Sequence, residues 1–330
     1  VKSFTIGMKD EKENEAVYAK EIARLLGTEH TELSISSKDA IEVIPKLSGM
    51  FGEPFGDSSQ IPTYLVSKMT REHVTVSLSG DGGDELFCGY RSYQSVDRIW
   101  GKMKGIPYGI RKPVSRLLLK SPLSKREVYE IKSNYLGVRG PAGLYGLMPK
   151  AEQPLAEKIS FYHGTCPYPH SEYEEGFLKE TNHNVMLMDM LMYHPDDILV
   201  KVDRMAMANS LETRVPMLDR DVVEFAWSLP IEYKIQDGTG KQVLRDVLYR
   251  YVPKEMMDRP KKGFSIPLWK WMEEKALRSW AEGLMDPCMV KEQGFLDPEV
   301  VWKIWEDFKE KKVWRPQIWY ILMFQQWLCG

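Results

Sequence analysis

The segment 74–90 constrains the fold of this chain more than any other part of the sequence. It begins with a β-branched run from Val74 to Leu78, which predicts a strand. A loop rich in glycine and carboxylates follows, and an apolar pattern with helical spacing starts at Leu86. A strand that ends in such a loop and leads into a helix is typical of open α/β sheets, which bind ligands at the carboxyl ends of their strands.

The composition of this loop predicts a nucleotide that is held together with a metal ion. Its three glycines let the backbone approach a bound group closely and leave N–H groups to face an anion. Asp81, Asp84 and Glu85 would repel a phosphate unless a hard cation such as Mg²⁺ lay between them. We therefore predict a nucleotide, Mg²⁺ and one further carboxylate that is left for chemistry.

Two other interpretations of the loop compete with this one. An ordinary turn with solvated acids is the more frequent structure for a lone Asp-Gly-Gly-Asp, because turns are built from these residues. A calcium loop does not match the spacing, since its acidic ligands alternate over about twelve positions and end in a late Glu.

Strands and helices alternate along the first part of the chain. Strand patterns cover 1–7 and 30–35, and helical patterns cover 14–26, 37–50 and 61–71. Such alternation predicts an α/β fold with a doubly wound parallel sheet.

The strand signal fades near Trp100, and short helical segments with Pro/Gly-rich joints follow. We accordingly predict an α/β part, 1–100, and a mainly helical part, 101–330. The methionine-rich helix at 183–192 is interpreted as buried core, and the aromatic helices at 302–327 as core or as a homodimer interface.

Composition and cysteine spacing indicate which partners and which cellular compartment the chain has. A net charge of −2 with 28% charged residues gives no nucleic-acid footprint, and no run of about eighteen apolar residues predicts a membrane span. The four cysteines are widely spaced and follow no signal peptide, which favours the cytoplasm. The chain opens in a strand pattern at Val1 without an initiator Met, so we expect it to be the C-terminal part of a longer protein.

Other polar segments offer candidate ligands. Asp57, Ser58 and Ser59 precede a predicted helix, where they can cap it or line a polar substrate pocket, and both roles stay open. Lys241 follows a glycine at a predicted helix start. A cation there opposes the helix dipole, which indicates an anionic ligand.

The charged side chains of segment 196–219 alternate with apolar residues. This pattern predicts that several of them point inward as structural ion pairs, such as Asp203 with Arg204 and Glu212 with Arg214.

Four ordered segments resemble the synthetase domain of glutamine-hydrolysing asparagine synthetases, whose sheet is of the adenine nucleotide alpha hydrolase type. They are SGDGGDELFCGY at 79–90, LETRVPMLD at 211–219, GKQVLR at 240–245 and RPKKGFSIP at 259–267. The resemblance implies that ATP and Mg²⁺ activate the side-chain carboxylate of aspartate as β-aspartyl-AMP, with release of pyrophosphate. Ammonia from glutamine, supplied by an N-terminal glutaminase domain, would then displace AMP.

The resemblance also assigns roles residue by residue. It implies that Ile6, Ser79 and Gly80 contact the adenosine of ATP and that Asp84 binds Mg²⁺. It places Asp81 where the family usually has a Glu that helps to form and use the intermediate; Asp81 is one methylene shorter. Lys241 would meet the phosphates in the transition state, and the loop of Asp57, Ser58 and Ser59 would bind aspartate.

Two family features do not occur in this sequence. One is the pyrophosphate loop S-G-G-x-D-S on the preceding strand, and the other is the glutaminase domain with its N-terminal Cys. We expect the isolated chain to fold but to lose most of its activity, because one missing electrostatic group costs about 3–4 kcal/mol of transition-state stabilisation. The alternatives are a related amide-forming enzyme, such as a β-lactam synthetase or an amidotransferase of surface-polysaccharide assembly, and a non-catalytic fragment or binding partner.

Overall fold

The computed structural model describes residues 1–8, 15–122, 127–148, 178–257 and 266–330. Its first part alternates strands and helices, as predicted. The elements are β1 Lys2–Met8, α1 Glu15–Leu26, β2 Glu29–Ile35, α2 Ser37–Leu47, α3 Gln60–Arg71, β3 Val76–Leu78 and α4 Gly83–Leu86. Helix α1 ends where Gly27 adopts the left-handed region with φ of 66°, a conformation that glycine adopts at little cost.

The remaining part is mainly helical. Its middle contains α5 Arg91–Met103, α6 Tyr108–Lys120, α7 Glu127–Leu136, α8 Pro141–Leu147, α9 Thr181–Leu191, a π-helical turn His194–Leu199, α10 Val200–Met207 and β4 Glu212–Arg214. It continues with α11 Arg220–Ser228, β5 Ile235–Gln236, β6 Thr239–Gly240, α12 Gln242–Leu248 and α13 Lys254–Met257. It closes with α14 Leu268–Trp271, α15 Lys275–Leu284, α16 Pro287–Gln293, α17 Pro298–Lys311 and α18 Gln317–Cys329. Within the described ranges, the 3₁₀ turns Ser48–Met50, Pro216–Leu218 and Ile231–Tyr233 connect these elements.

The parallel strands form two separate sheets. β1 pairs with β2 from Lys2 opposite Glu29 to Met8 opposite Ile35. β3 pairs in parallel with β4, and β5 with β6 forms an antiparallel hairpin. The class is therefore mixed, largely helical with small sheets, and the strands of the described residues are not joined into one doubly wound sheet.

Strand β4 was not predicted from the sequence. It is three residues long, too short to show alternation, and its pairing with β3 depends on a contact between distant parts of the chain. The charges around it also correct a prediction. Glu212 and Arg214 do pair, with 2.8 Å between Oε1 and Nε, but both are exposed, as are Asp203 and Arg204.

One main core joins the first and last thirds of the chain. Ile44 and Ile61 pack in the same buried cluster as Trp305 and Phe308. The aromatic C-terminal helices are thus core, which confirms the first of the two interpretations, and the division at residue 100 stays a prediction. The methionine-rich helix α9 is also buried in part, through Met186 and Met188.

No helix among the described residues combines the length and the apolar character that crossing a bilayer requires.

Candidate functional site

The glycine-rich loop follows a strand and leads into a helix, in the order that its sequence predicts. The bounds of the helix differ from the prediction: α4 covers Gly83–Leu86 and ends where the apolar pattern predicts a helix to begin, because Cys88 has a left-handed backbone. β3 ends at Leu78, and the Ser79 N–H donates to the carbonyl of Arg214, 2.9 Å away, at the end of β4. Gly82 has a positive φ of 84° and leads into α4. The positive φ is the reason that the tight turn favours glycine at this position.

The loop brings together two residues to which the sequence assigns different roles. Nζ of Lys241 lies 3.0 Å from Oδ2 of Asp84. Both side chains are partly open to solvent, with exposed fractions of 31% and 23%. A predicted metal ligand and a predicted phosphate-binding cation therefore share one surface.

Close contact between two backbones places Lys241. Its N–H donates to the carbonyl of Phe87 at 2.9 Å, and a Cβ on Gly240 would lie 2.1 Å from the carbonyl oxygen of Cys88. A Cβ on Gly89 would lie 2.0 Å from Oδ1 of Asp84. The β5–β6 hairpin thus docks on the loop where only glycines fit, and this contact fixes the ammonium beside the carboxylate.

Lys241 itself has a left-handed backbone, with φ of 61°, and so does Cys88, with φ of 57°. Such conformations are costly for residues with a side chain and often mark functional sites.

Glu85 turns away from this surface into the protein. It is 1% exposed and accepts a hydrogen bond from the Tyr90 hydroxyl at 2.6 Å. Nδ1 of the buried His194 lies 3.7 Å from the same oxygen, an ion-pair distance rather than a hydrogen bond. Burial raises the pKa of Glu85, but these two neighbours outweigh it and hold the pKa below its usual value.

A second buried acid lies behind Glu85. Asp189 accepts hydrogen bonds from the hydroxyls of Tyr93 at 2.5 Å and Tyr145 at 2.8 Å. Burial raises its pKa to about 6, although the two hydroxyls act in the opposite direction. The interior behind the loop is therefore polar and held in place by hydrogen bonds.

The loop at 57–59 is organised by a residue that sequence analysis did not single out as its partner. Oδ1 and Oδ2 of Asp57 accept hydrogen bonds from the backbone N–H and the hydroxyl of Ser59, at 2.9 and 2.7 Å. Oδ2 also accepts a short hydrogen bond from the buried ammonium of Lys201. Burial raises the pKa of Asp57, but the ammonium outweighs it, so the net effect is a lowered pKa.

A cavity of about 630 Å³ opens beside this loop. Its polar lining includes Asp57, Ser58, Tyr193 and Asp197. Its other lining residues are aromatic, aliphatic or glycine: Phe55, Gly56, Ile266, Leu268, Trp269, Trp314, Pro316, Trp319 and Tyr320.

Two tyrosines connect the cavity to the glycine-rich loop. The ring of Tyr193, which lines the cavity, lies edge-on to that of Tyr90, with 6.3 Å between centroids. Tyr90 in turn holds Glu85, the residue after Asp84. The structure therefore joins the two predicted ligand sites, one for phosphates and one for a polar substrate, through a continuous chain of contacts.

A family model described as asparagine synthase matches residues 1–329. The chain belongs to the asparagine synthase family. It is 28% identical to "Asparagine synthetase [glutamine-hydrolyzing] 1" of Bacillus subtilis, over 99% of this chain and 52% of the relative. It is 31% identical to a "Putative asparagine synthetase [glutamine-hydrolyzing]" of Mycobacterium bovis, over 84% and 43%. Against a rat asparagine synthetase the identity is 25%, over 88% and 39%. The chain thus spans about half the length of the first curated relatives it matches, or less.

The other residues that the family resemblance assigns differ in their surroundings. Ser79 carries a buried hydroxyl with no hydrogen-bond partner among the described residues, and Gly80 is exposed beside it. Asp81 is half-buried, whereas the side chain of Ile6 lies in the main core. Their predicted contacts with ATP and the intermediate stay predictions.

Within this asparagine synthase domain, most of the segment 259–267 lies outside the described residues, which include only its last two, Ile266 and Pro267. The described residues contain no group of three or more His, Cys, Asp or Glu side chains that could hold a metal ion.

Two features of the site do not follow from the sequence: the contact of Lys201 with Asp57 and the burial of Glu85. Lys201 is one of the charged residues of segment 196–219, and nothing in that segment links it to Asp57. One feature of the sequence is consistent with the burial of Glu85. It directly precedes Leu86 and Phe87, which are both buried.

Proposed function

We propose that this chain carries the synthetase reaction of ATP-dependent asparagine synthesis, in which aspartate is activated as β-aspartyl-AMP and then amidated by ammonia. The observation that carries this proposal is the 3.0 Å contact between Lys241 and Asp84 at the carboxyl end of a parallel strand. It lies in a chain that matches the asparagine synthase family along nearly its whole length.

In the first step, an oxygen of the aspartate side-chain carboxylate attacks the α-phosphorus of ATP, and the bond to pyrophosphate breaks. Negative charge then increases on the α-phosphate and on the leaving group. The ammonium of Lys241 is positioned to stabilise this charge, because its backbone is fixed against Cys88 and Phe87 before the substrate arrives. The orphan hydroxyl of Ser79 and the open backbone of Gly80 are available for the nucleoside.

Asp84 suits Mg²⁺ as a ligand. Its carboxylate supplies hard oxygens at the surface of the loop, and Mg²⁺ in proteins is commonly held by one or two carboxylates together with substrate phosphates. Bound there, Mg²⁺ would neutralise charge on the phosphates. Lys241 would then exchange its contact with Asp84 for one with phosphate oxygens.

In the second step, ammonia attacks the acyl carbon and AMP leaves with the bridging oxygen. One proton must be removed from the attacking nitrogen. Asp81 is the carboxylate we assign to this role, because Glu85 is buried and committed to Tyr90. The relatives carry "glutamine-hydrolyzing" in their names, and we infer that a glutaminase domain supplies the ammonia, in the cytoplasm.

The cavity beside Ser58 is the site we assign to the acceptor acid. Asp57 does not bind the substrate directly in this proposal, because its oxygens are already held by Lys201 and Ser59. The cavity, about 630 Å³ with aromatic walls, also accommodates acids larger than aspartate. That observation favours a related amide-forming reaction with a larger acceptor as the second candidate.

An ATP/pyrophosphate exchange assay with the longest natural product of the gene tests the proposal. Exchange is expected to require aspartate and to fall about 100-fold or more in Lys241→Ala, the usual cost of removing one preorganised charge donor. Lys46→Ala, at an exposed position of α2, is the matched control and should exchange as the wild type does. Exchange that needs a larger acid instead would favour the second candidate, and equal exchange in both variants would refute the role of Lys241.

A further inference from the structure

Among the residues that the structure describes, the charged groups at the cavity beside Asp57 are two carboxylates and one ammonium. Asp57 and Asp197 both line it, and Lys201 is the cation that lies between them. Two carboxylates thus share one ammonium.

The two carboxylates are not equally satisfied. Asp57 accepts hydrogen bonds from Lys201 and twice from Ser59. Oδ1 of Asp197 is 3.8 Å from Nζ of Lys201, too far for a hydrogen bond. That oxygen is buried and has no hydrogen-bond partner within the part of the chain that the structure describes. A buried acceptor without a donor is costly, so the position favours a ligand that brings one.

The surroundings of Asp197 favour a cation as that ligand. Burial and the nearby charge of Asp57 raise the pKa of Asp197 to about 7, and a cation in the cavity would stabilise the ionised form. Aromatic rings from Tyr193, Trp269 and Trp314 line the same space, and the faces of such rings attract ammonium groups.

We propose that Asp197 binds the ammonium group of the acceptor substrate and so makes the site select an amino acid over a simple dicarboxylic acid. The identity of the acceptor rests on the proposed function, whereas the charge of the group that is bound does not. Asp197 is then a specificity residue: it touches a part of the substrate that does not react.

Equilibrium titrations of the chain followed by tryptophan fluorescence test this inference, since Trp269, Trp314 and Trp319 line the cavity. The three probes are L-aspartate, succinate, which lacks only the amino group, and propylammonium, which has no carboxylate. The variants are Asp197→Asn, nearly identical in shape, and Asp197→Glu, which keeps the charge. Asp196→Asn is the matched control, because Asp196 is the exposed neighbour of Asp197.

We expect the wild type to bind aspartate about tenfold or more tightly than succinate, since a charge-assisted pair is lost with the amino group. Asp197→Asn should weaken aspartate and propylammonium by a similar factor and leave succinate unchanged. Asp197→Glu should retain the preference in part, and Asp196→Asn should behave as the wild type does.

The possible results separate this inference from the proposed function. Equal binding of aspartate and succinate by the wild type would overturn the inference, even if the variant did not fold. Aspartate binding that does not change in Asp197→Asn, or a wild type that binds none of the three probes, would overturn it as well. Binding of propylammonium that depends on Asp197, without binding of aspartate, would support the ammonium site and count against aspartate as the acceptor.

Discussion

Two lysine–aspartate ion pairs in this chain differ in their exposure to solvent. Lys241 and Asp84 meet at the protein surface, partly open to solvent, because two glycine-bearing backbones touch. Lys201 and Asp57 meet in the interior, where the lysine side chain is only 11% exposed and a second carboxylate, Asp197, lies nearby.

The two pairs differ in whether a charged group can exchange its ion-pair partner for a ligand. Charges that water reaches can give up their partner for a ligand at little cost, so the surface pair suits a site where phosphates and a metal ion come and go. A buried pair cannot separate without leaving a charge uncompensated, so Lys201 holds Asp57 in a fixed position in the lining of the cavity. Burial, rather than residue type, distinguishes the pair that can exchange its partner from the pair that cannot.

The largest expected effect comes from removing the glycine that places the surface pair. In Gly240→Ala the new Cβ would meet the carbonyl oxygen of Cys88 at 2.1 Å, a backbone atom that cannot rotate away. We expect displacement of the β5–β6 hairpin and a loss of exchange activity of about 100-fold or more, since Lys241 no longer reaches Asp84.

The matched control is Gly283→Ala, an exposed helical position of α15 with nothing within 4 Å of the new Cβ. It should keep its activity and gain about 0.5–1 kcal/mol of stability from helix propensity. If Gly240→Ala retained full exchange, the placement of Lys241 by backbone contact would be wrong.

The next effect compares the two lysines directly. Lys201→Ala leaves Asp57 and Asp197 without their shared cation in a poorly solvated place, and should lower the free energy of unfolding by about 2–4 kcal/mol. Lys241→Ala removes a partly solvated contact and should change stability by less than about 1 kcal/mol while it abolishes exchange. Chemical denaturation of both variants measures the contrast, and similar losses of stability would break the comparison.

The smallest effect is a pH dependence that arises from Asp197, the carboxylate beside the interior pair. The folded chain keeps a proton on Asp197 up to about pH 7, whereas an unfolded aspartate releases it near pH 3.8. Between these values the folded state binds more protons, so this group makes stability fall as pH rises, and the slope ends above pH 7. The groups that face Asp197 are Asp57, Lys201 and Tyr193.

Asp197→Asn should remove this contribution, which we expect to be about 1–2 kcal/mol because Asp197 is one third exposed. Denaturation of wild type, Asp197→Asn and Asp196→Asn between pH 5 and pH 8 measures it as a difference. If the difference between the wild type and Asp197→Asn is the same throughout this range, the proton is not held at Asp197.

Local features of the surface pair were predictable from the sequence. The β-branched run, the glycine-rich loop and a lysine after a glycine are all local patterns, and the structure confirms the strand and the loop. The helix after the loop was misplaced, since it ends at Leu86 instead of starting there. The family resemblance supplied the roles of Asp84 and Lys241, and the structure adds that the two side chains meet.

The interior pair could not be predicted in the same way. Lys201 and Asp57 belong to segments that no local pattern connects, so their pairing could not be predicted from either segment. Glu85 lies in a loop whose sequence is typical of solvated acids. In the structure it is buried instead, because it packs against Tyr90 and His194. Strand β4 likewise exists because β3 lies beside it. Long-range contacts decided each of these features.

The most direct test of the central claim follows the oxygen of the substrate. With aspartate labelled by ¹⁸O in its side-chain carboxylate, ATP and ammonia, the longest natural product of the gene should yield AMP that carries one ¹⁸O atom, because the attacking oxygen stays with AMP when ammonia displaces it. Label in inorganic phosphate with formation of ADP, or no label in AMP while amide is formed, would contradict activation as an acyl-adenylate.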